Sequence, residues 1–120
     1  MGRKKTKNFY FTQETEDAII LYNKTEDSVQ RSKIYKEHIK YPFDKLTENI
    51  IHTFKFYYFD VPSEDVQHEV VAFLNEKIHK FKEGKGKAFS YFSIIAKNYL
   101  IIQNNTNYKR MKRKAELVEV

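Results

Sequence analysis

Apolar positions recur along this chain at spacings of three and four, the period of helices that bury one face. The clearest run is Phe43, Leu46, Ile50 and Phe54, widened by Ile51 and Tyr58, and it predicts a helix over about residues 43–56. A second run, Val66, Val70, Phe73 or Leu74, and Ile78, predicts a helix from about Glu64 to Phe81. The turn Asp60-Val61-Pro62-Ser63 would open it, with Ser63 as N-cap. Its other face carries Asp65, His68, Glu69, Ala72 and Glu76. Upstream, Thr12 is a plausible N-cap for a first helix, with Glu14, Glu16 and Asp17 near the positive end of its dipole and Ala18, Ile19 and Tyr22 on its apolar side. A second helix reads from about Asp27 to Ile39, with a thin apolar set of Val29, Ile34, Tyr35, His38 and Ile39; Pro42 should stop it and start the next. The last helix reads from about Ala88 to Asn104, with Phe89, Phe92, Ile95, Ala96 and Tyr99 on one side. Between it and the fourth helix, Gly84 and Gly86 permit a sharp reversal in a basic turn. The expected fold is all-α, a compact bundle of about five helices over residues 12–108, with a basic arm over 1–11 and a basic tail over 109–120.

Composition narrows the class. A chain of 120 residues holds one domain, and 41% hydrophobic residues suffice for a small core. Without a cysteine there is no disulfide scaffold, thiolate zinc site or thiol nucleophile. No window is apolar enough for a membrane span, since Lys55 interrupts Phe54–Phe59. The basic start Met1-Gly2-Arg3-Lys4-Lys5 has no apolar stretch after it and is not a signal peptide. A cytoplasmic protein that does not meet a membrane is the expectation.

The net charge of +6 is unevenly spread. Residues 1–11 carry +4, 12–27 carry −4, 28–58 carry +3, 59–81 carry −3 and 82–120 carry +6. An acidic block therefore sits directly before a strongly basic one. Such a surface suits a polyanion on one side and a basic protein on the other, although solvated helix faces would give the same counts.

Enzymatic chemistry finds little support. None of the four histidines pairs at the i, i+4 spacing of a helical metal site, and His68 and His79 lie about three turns apart. Gly84-Lys85-Gly86 lacks the spacing of a phosphate-binding loop. No catalytic residue, metal or cofactor is expected. The nucleic-acid signal is better: Lys82, Lys85, Lys87 and Lys97 flank Phe89, Tyr91, Phe92 and Tyr99, and the run from Lys109 to Lys114 follows. Cations neutralise phosphates, and aromatic faces stack on unpaired bases at about 1–3 kcal/mol per base. Helical spacing alone favours a core role for Phe89 and leaves Phe92 and Tyr91 open between core and base contact.

Taken in order, Phe43-Asp44-Lys45-Leu46, Ser63-Glu64-Asp65-Val66-Gln67-His68-Glu69, Ile78-His79-Lys80-Phe81 and Gly86-Lys87-Ala88-Phe89-Ser90-Tyr91-Phe92 resemble the second conserved region of bacterial sigma factors. The wider chain, roughly residues 9–110, is similar to the late-transcription sigma factors of large tailed bacteriophages. The resemblance implies a sigma region 2-like domain in the host cell cytoplasm. Its fourth helix would dock on the clamp helices of the largest RNA polymerase subunit through Asp65, His68, Glu69, Ala72, Asn75 and Glu76. Its fifth helix would face the promoter's −10 element. Phe92 would capture a flipped adenine, Tyr91 would lie beside it, Lys85 and Lys87 would hold strand phosphates, and Lys97, Asn98 and Tyr99 would lie near the upstream duplex edge. Lys109 and Arg110 would add phosphate contacts. The paired tryptophans of primary sigma factors fall at Ile95 and Ala96, which implies weak melting and dependence on a helper, either a DNA sliding clamp or a co-activator. The rival readings are a polymerase-binding inhibitor or adaptor without promoter function, and a regulator that binds duplex DNA alone. Residues 1–8 and 109–120 are expected to order only on meeting phosphate or protein.

Overall fold

The computed structural model describes residues 10–54, 62–84 and 86–119, with side chains as far as Lys114, and these residues form helices and turns with no strand among them. Helix α1 spans Gln13–Lys24. It begins where expected: the Thr12 backbone N–H donates to Thr15 Oγ1 at 3.2 Å, and the Thr12 carbonyl accepts from Thr15 and Glu16. Helix α2, Ser28–Ile34, starts at Asp27, whose carboxylate accepts the Gln30 N–H at 3.0 Å. Helices α3, Lys40–Phe54, α4, Ser63–Lys77, and α5, Ala88–Glu119, follow.

The expected break at Pro42 does not occur. A single π-helical turn, Tyr35–Ile39, joins α2 to α3 in one continuous rod, so the described residues form four helical rods. Proline has no N–H for the carbonyl four residues back, and its ring crowds that carbonyl. In the π turn the Lys40 N–H donates five residues back, to Tyr35, and this wider turn directly precedes the proline. Pro42 is buried without ending the helix.

The core forms where the apolar faces of α1, α3, α4 and α5 meet. Helix α3 brings Phe43, Leu46, Ile50 and Ile51, and α4 brings Val66, Val70, Val71 and Leu74, as the periodicity predicts. Helix α5 presents Ala88, Phe92, Ala96 and Leu100, all fully buried and four residues apart. The alternation of small and large side chains brings α5 close while filling the space between helices. Each fully buried Phe, Leu or Ile stabilises by about 1.5–3 kcal/mol. Long-range hydrogen bonds also fix the helices to one another. The Gln67 side-chain amide donates to the Asp44 carbonyl at 3.0 Å, and that of Asn23 donates to the Ile78 carbonyl at 2.9 Å. The latter ties α1 to the 3₁₀ turn Ile78–Lys80, closed by the Phe81 N–H on the same carbonyl, which ends α4 one turn earlier than expected.

Helix α5 does not end near Asn104. It passes through Asn104-Asn105-Thr106-Asn107 and the basic run to Glu119, so residues 109–119 are helical rather than a separate tail. No Gly or Pro interrupts it, and asparagine lowers helix propensity by only a fraction of a kcal/mol. Leu100 is its last buried residue among the described side chains, and the helix backbone runs on for about 28 Å beyond it. The radius of gyration, 17.0 Å, reflects that extension. A compact chain of this length would have about 14 Å.

Candidate functional site

Two surfaces gather the nominated residues. The first is the outer face of α4. Asp65, His68, Glu69, Ala72, Asn75 and Glu76 are all exposed, along one side of the helix opposite its buried valines. Among the described residues none of its carboxylates forms an ion pair. Glu69 has an anchor, because the Tyr99 hydroxyl donates to its Oε1 at 3.1 Å. Tyr99 in turn stacks on Phe73, ring centroids 4.6 Å apart, and Lys77 sits over the other aromatic at 5.0 Å. Partial burial, then the Glu69 carboxylate, raises the Tyr99 ionisation above its ordinary value. Tyr99, expected near the duplex edge, is thus hydrogen-bonded to the acidic surface of α4.

The second surface is the turn before α5 with the helix itself. Gly84 and Gly86 adopt φ of 89° and 103°, the conformation that reverses the chain there. Lys85 lies outside the described residues. Lys87 is exposed and its ammonium donates to Gln13 Oε1 at 3.4 Å. Next to it, Glu16 Oε1 accepts the Ala88 N–H at 2.8 Å. A carboxylate therefore occupies the first orphan donor of α5, the place a phosphate would seek. No local pattern announces this contact, since the partners are 72 residues apart.

Phe92 requires a correction. Its side chain is 0% exposed, enclosed by Phe43, Phe81 and Tyr91 at centroid distances of 5.0, 6.0 and 5.0 Å. A ring in that position offers no face to a base. Tyr91, half-buried against Phe81, remains at the surface, and so does Phe89, whose edge meets Tyr10 and Phe11. Lys97 lies over the Phe54 ring at 4.4 Å, which covers part of an aromatic expected in the core. Asn98 is exposed, as are Lys109 and Arg110, the latter donating to Asn107 Oδ1 at 2.8 Å. The nominated nucleic-acid residues are thus strung along α5 rather than gathered: Lys87 and Arg110 stand about 35 Å apart along its axis.

His68 and His79 are both exposed, and among the described residues no group of His, Asp and Glu could hold a metal ion. No helix among them is long and apolar enough to cross a membrane. The chain matches no family model, no curated protein and no solved structure.

Proposed function

We propose that this chain is a minimal sigma factor that binds bacterial RNA polymerase core through α4 and directs it to a −10-like promoter element, in the setting of phage late transcription. The observation that carries the reading is the acidic face of α4. Asp65, Glu69 and Glu76 stand exposed and without ion pairs among the described residues, on a helix whose other side is locked in the core. A helix held by the core with carboxylates that no cation neutralises complements basic helices of a partner, and such charge complementarity governs association rate and specificity. The basic, glycine-bearing turn, the half-buried Tyr91 and the exposed Lys87, Asn98, Lys109 and Arg110 supply the surface for strand phosphates and bases.

The test is retention of the protein on purified RNA polymerase core at moderate salt. Wild type should be retained, and the double variant Asp65→Lys/Glu69→Lys should be lost while its circular dichroism is unchanged. Equal retention of the two would remove α4 from the interface. Permanganate reactivity of the −10 thymines then reports promoter opening by the holoenzyme. A second reading, an inhibitor or adaptor that binds polymerase without promoter function, is favoured by the burial of Phe92. It predicts retention through the same α4 face with no thymine reactivity.

A further inference from the structure

Helix α5 carries an apolar stripe on the side turned away from the core. Ile94, Ile101 and Tyr108 follow at intervals of seven residues, with Met111 one turn on, and their exposures are 60, 37, 63 and 37%. Residues seven apart fall within about 20° of one another on a straight helix, so they line one edge. The buried side of the same helix, Ala88 to Leu100, is already satisfied by the bundle. A repeat of large apolar side chains in water along a projecting helix marks an interaction surface.

The charge around the stripe says what covers it. From Ala88 to Ala115 the sequence contains no acidic residue, and Lys97, Lys109, Arg110, Lys112, Arg113 and Lys114 accompany the apolar positions. A second copy laying its own stripe here would set these cations against each other, a costly arrangement. Nucleic acid would use the cations but gain nothing from Ile94 and Ile101, which have no phosphate or hydrogen-bonding chemistry. We infer that the outward face of α5, from Ile94 to Met111, is a docking surface for an acidic amphipathic helix of a partner protein, its apolar ridge on the stripe and its carboxylates against Lys97, Lys109 and Lys112. This is helix-to-helix recognition through anchors at i and i+7 with complementary flanks. Its apolar stripe is a feature that the polymerase reading does not use, and Lys109 is shared between the two. A helix seated there also takes up Lys109, so it and a DNA strand compete for the far end of α5.

The test uses the full chain and a designed peptide of about 21 residues, three heptads with leucine at the ridge positions and glutamate elsewhere. Fluorescence anisotropy should show saturable binding to wild type. The variant Ile94→Ser/Ile101→Ser/Tyr108→Ser should bind at least about tenfold more weakly, as loss of interface anchors does. A control peptide with serine in place of the leucines should bind equally weakly to both proteins. Because the three residues are exposed, the variant should keep the wild-type melting curve, which separates loss of docking from loss of fold. The inference is overturned if the serine control binds wild type as tightly as the leucine peptide, or if the triple variant binds the leucine peptide unchanged. It is likewise overturned if the triple substitution weakens a single-stranded oligonucleotide as much as the peptide, which would make the stripe a nucleic-acid surface. Sedimentation showing a wild-type dimer that the triple variant abolishes would assign the stripe to self-association instead.

Discussion

Helices α4 and α5 were both nominated as contact surfaces, and the structure treats them differently. Every nominated residue of α4 is exposed. On α5 the central nominee, Phe92, is at the middle of the core. Polar and apolar positions segregate cleanly around α4, and a carboxylate without a partner has nowhere to go but water. Aromatic side chains carry no such constraint: a phenylalanine three or four residues from another is as good a core element as a base platform. Charge thus declares a residue's location, and aromaticity does not. The acidic face of α4 could be read from sequence alone, while the role of Phe92 depended on which side of α5 the bundle buries.

The sharpest way to break this comparison is Phe92→Ala. As a core residue it should lower unfolding free energy by about 3–5 kcal/mol in urea denaturation. Unchanged stability with impaired DNA binding would restore it to the surface. Next in size is Glu16→Ala, which removes the cap on the Ala88 N–H and should cost about 1 kcal/mol by the same measurement, with α5 fraying from that end in hydrogen exchange. Thr47 tests polar burial from the opposite direction: it is 0% exposed and its Oγ1 has no hydrogen-bond partner among the described residues. Thr47→Val should raise stability by about 1 kcal/mol, since it removes an unsatisfied group and keeps the shape. On α4, the Asp65→Lys/Glu69→Lys pair should cost no more than about 1 kcal/mol, from the lost Tyr99–Glu69 hydrogen bond and the reversed charge in the first turn, and should leave the fold intact.

The smallest effect concerns pH and Tyr99. Burial and Glu69 raise its ionisation above the ordinary 10.0, so the folded state holds this proton more tightly than the unfolded state. Its contribution to stability is complete below pH 10.0 and disappears as pH rises through the higher folded value, where the phenol can no longer donate to Glu69. Melting temperatures followed from about pH 8 to about pH 11 should show a shallower alkaline decline in Tyr99→Phe than in wild type.

Local signals were legible and distant ones were not. Thr12 and Asp27 announce their helices because capping is settled within three residues. The stripes Phe43-Leu46-Ile50 and Val66-Val70-Leu74 are legible because period alone fixes them. Phe54 falls on the first stripe and yet is exposed, because what α5 sets over its ring is the solvated side chain of Lys97 rather than an apolar one. The clasp of Glu16 on Ala88 joins opposite ends of the chain and leaves no local trace. The asparagine cluster at 104–107 weakens helix propensity without forbidding continuation, and its cost per residue is small enough that α5 passes through it. Pro42 reads as a stop, and the turn that accommodates it lies in the backbone rather than in any side chain.

That π turn also sets the phase of the whole upstream segment. One surplus residue in a helix rotates everything before it by about 100° relative to everything after. Upstream, Ile34 and Tyr35 turn toward α1, where Tyr35 meets the Tyr22 ring at 6.5 Å; downstream, Phe43, Leu46 and Ile50 turn toward the bundle. Deleting one exposed residue of the turn, Lys36 or Glu37, would leave every side chain in place chemically and put the two sets out of step. The chain could then seat one half or the other, and α1 would be carried around the rod with the half that loses.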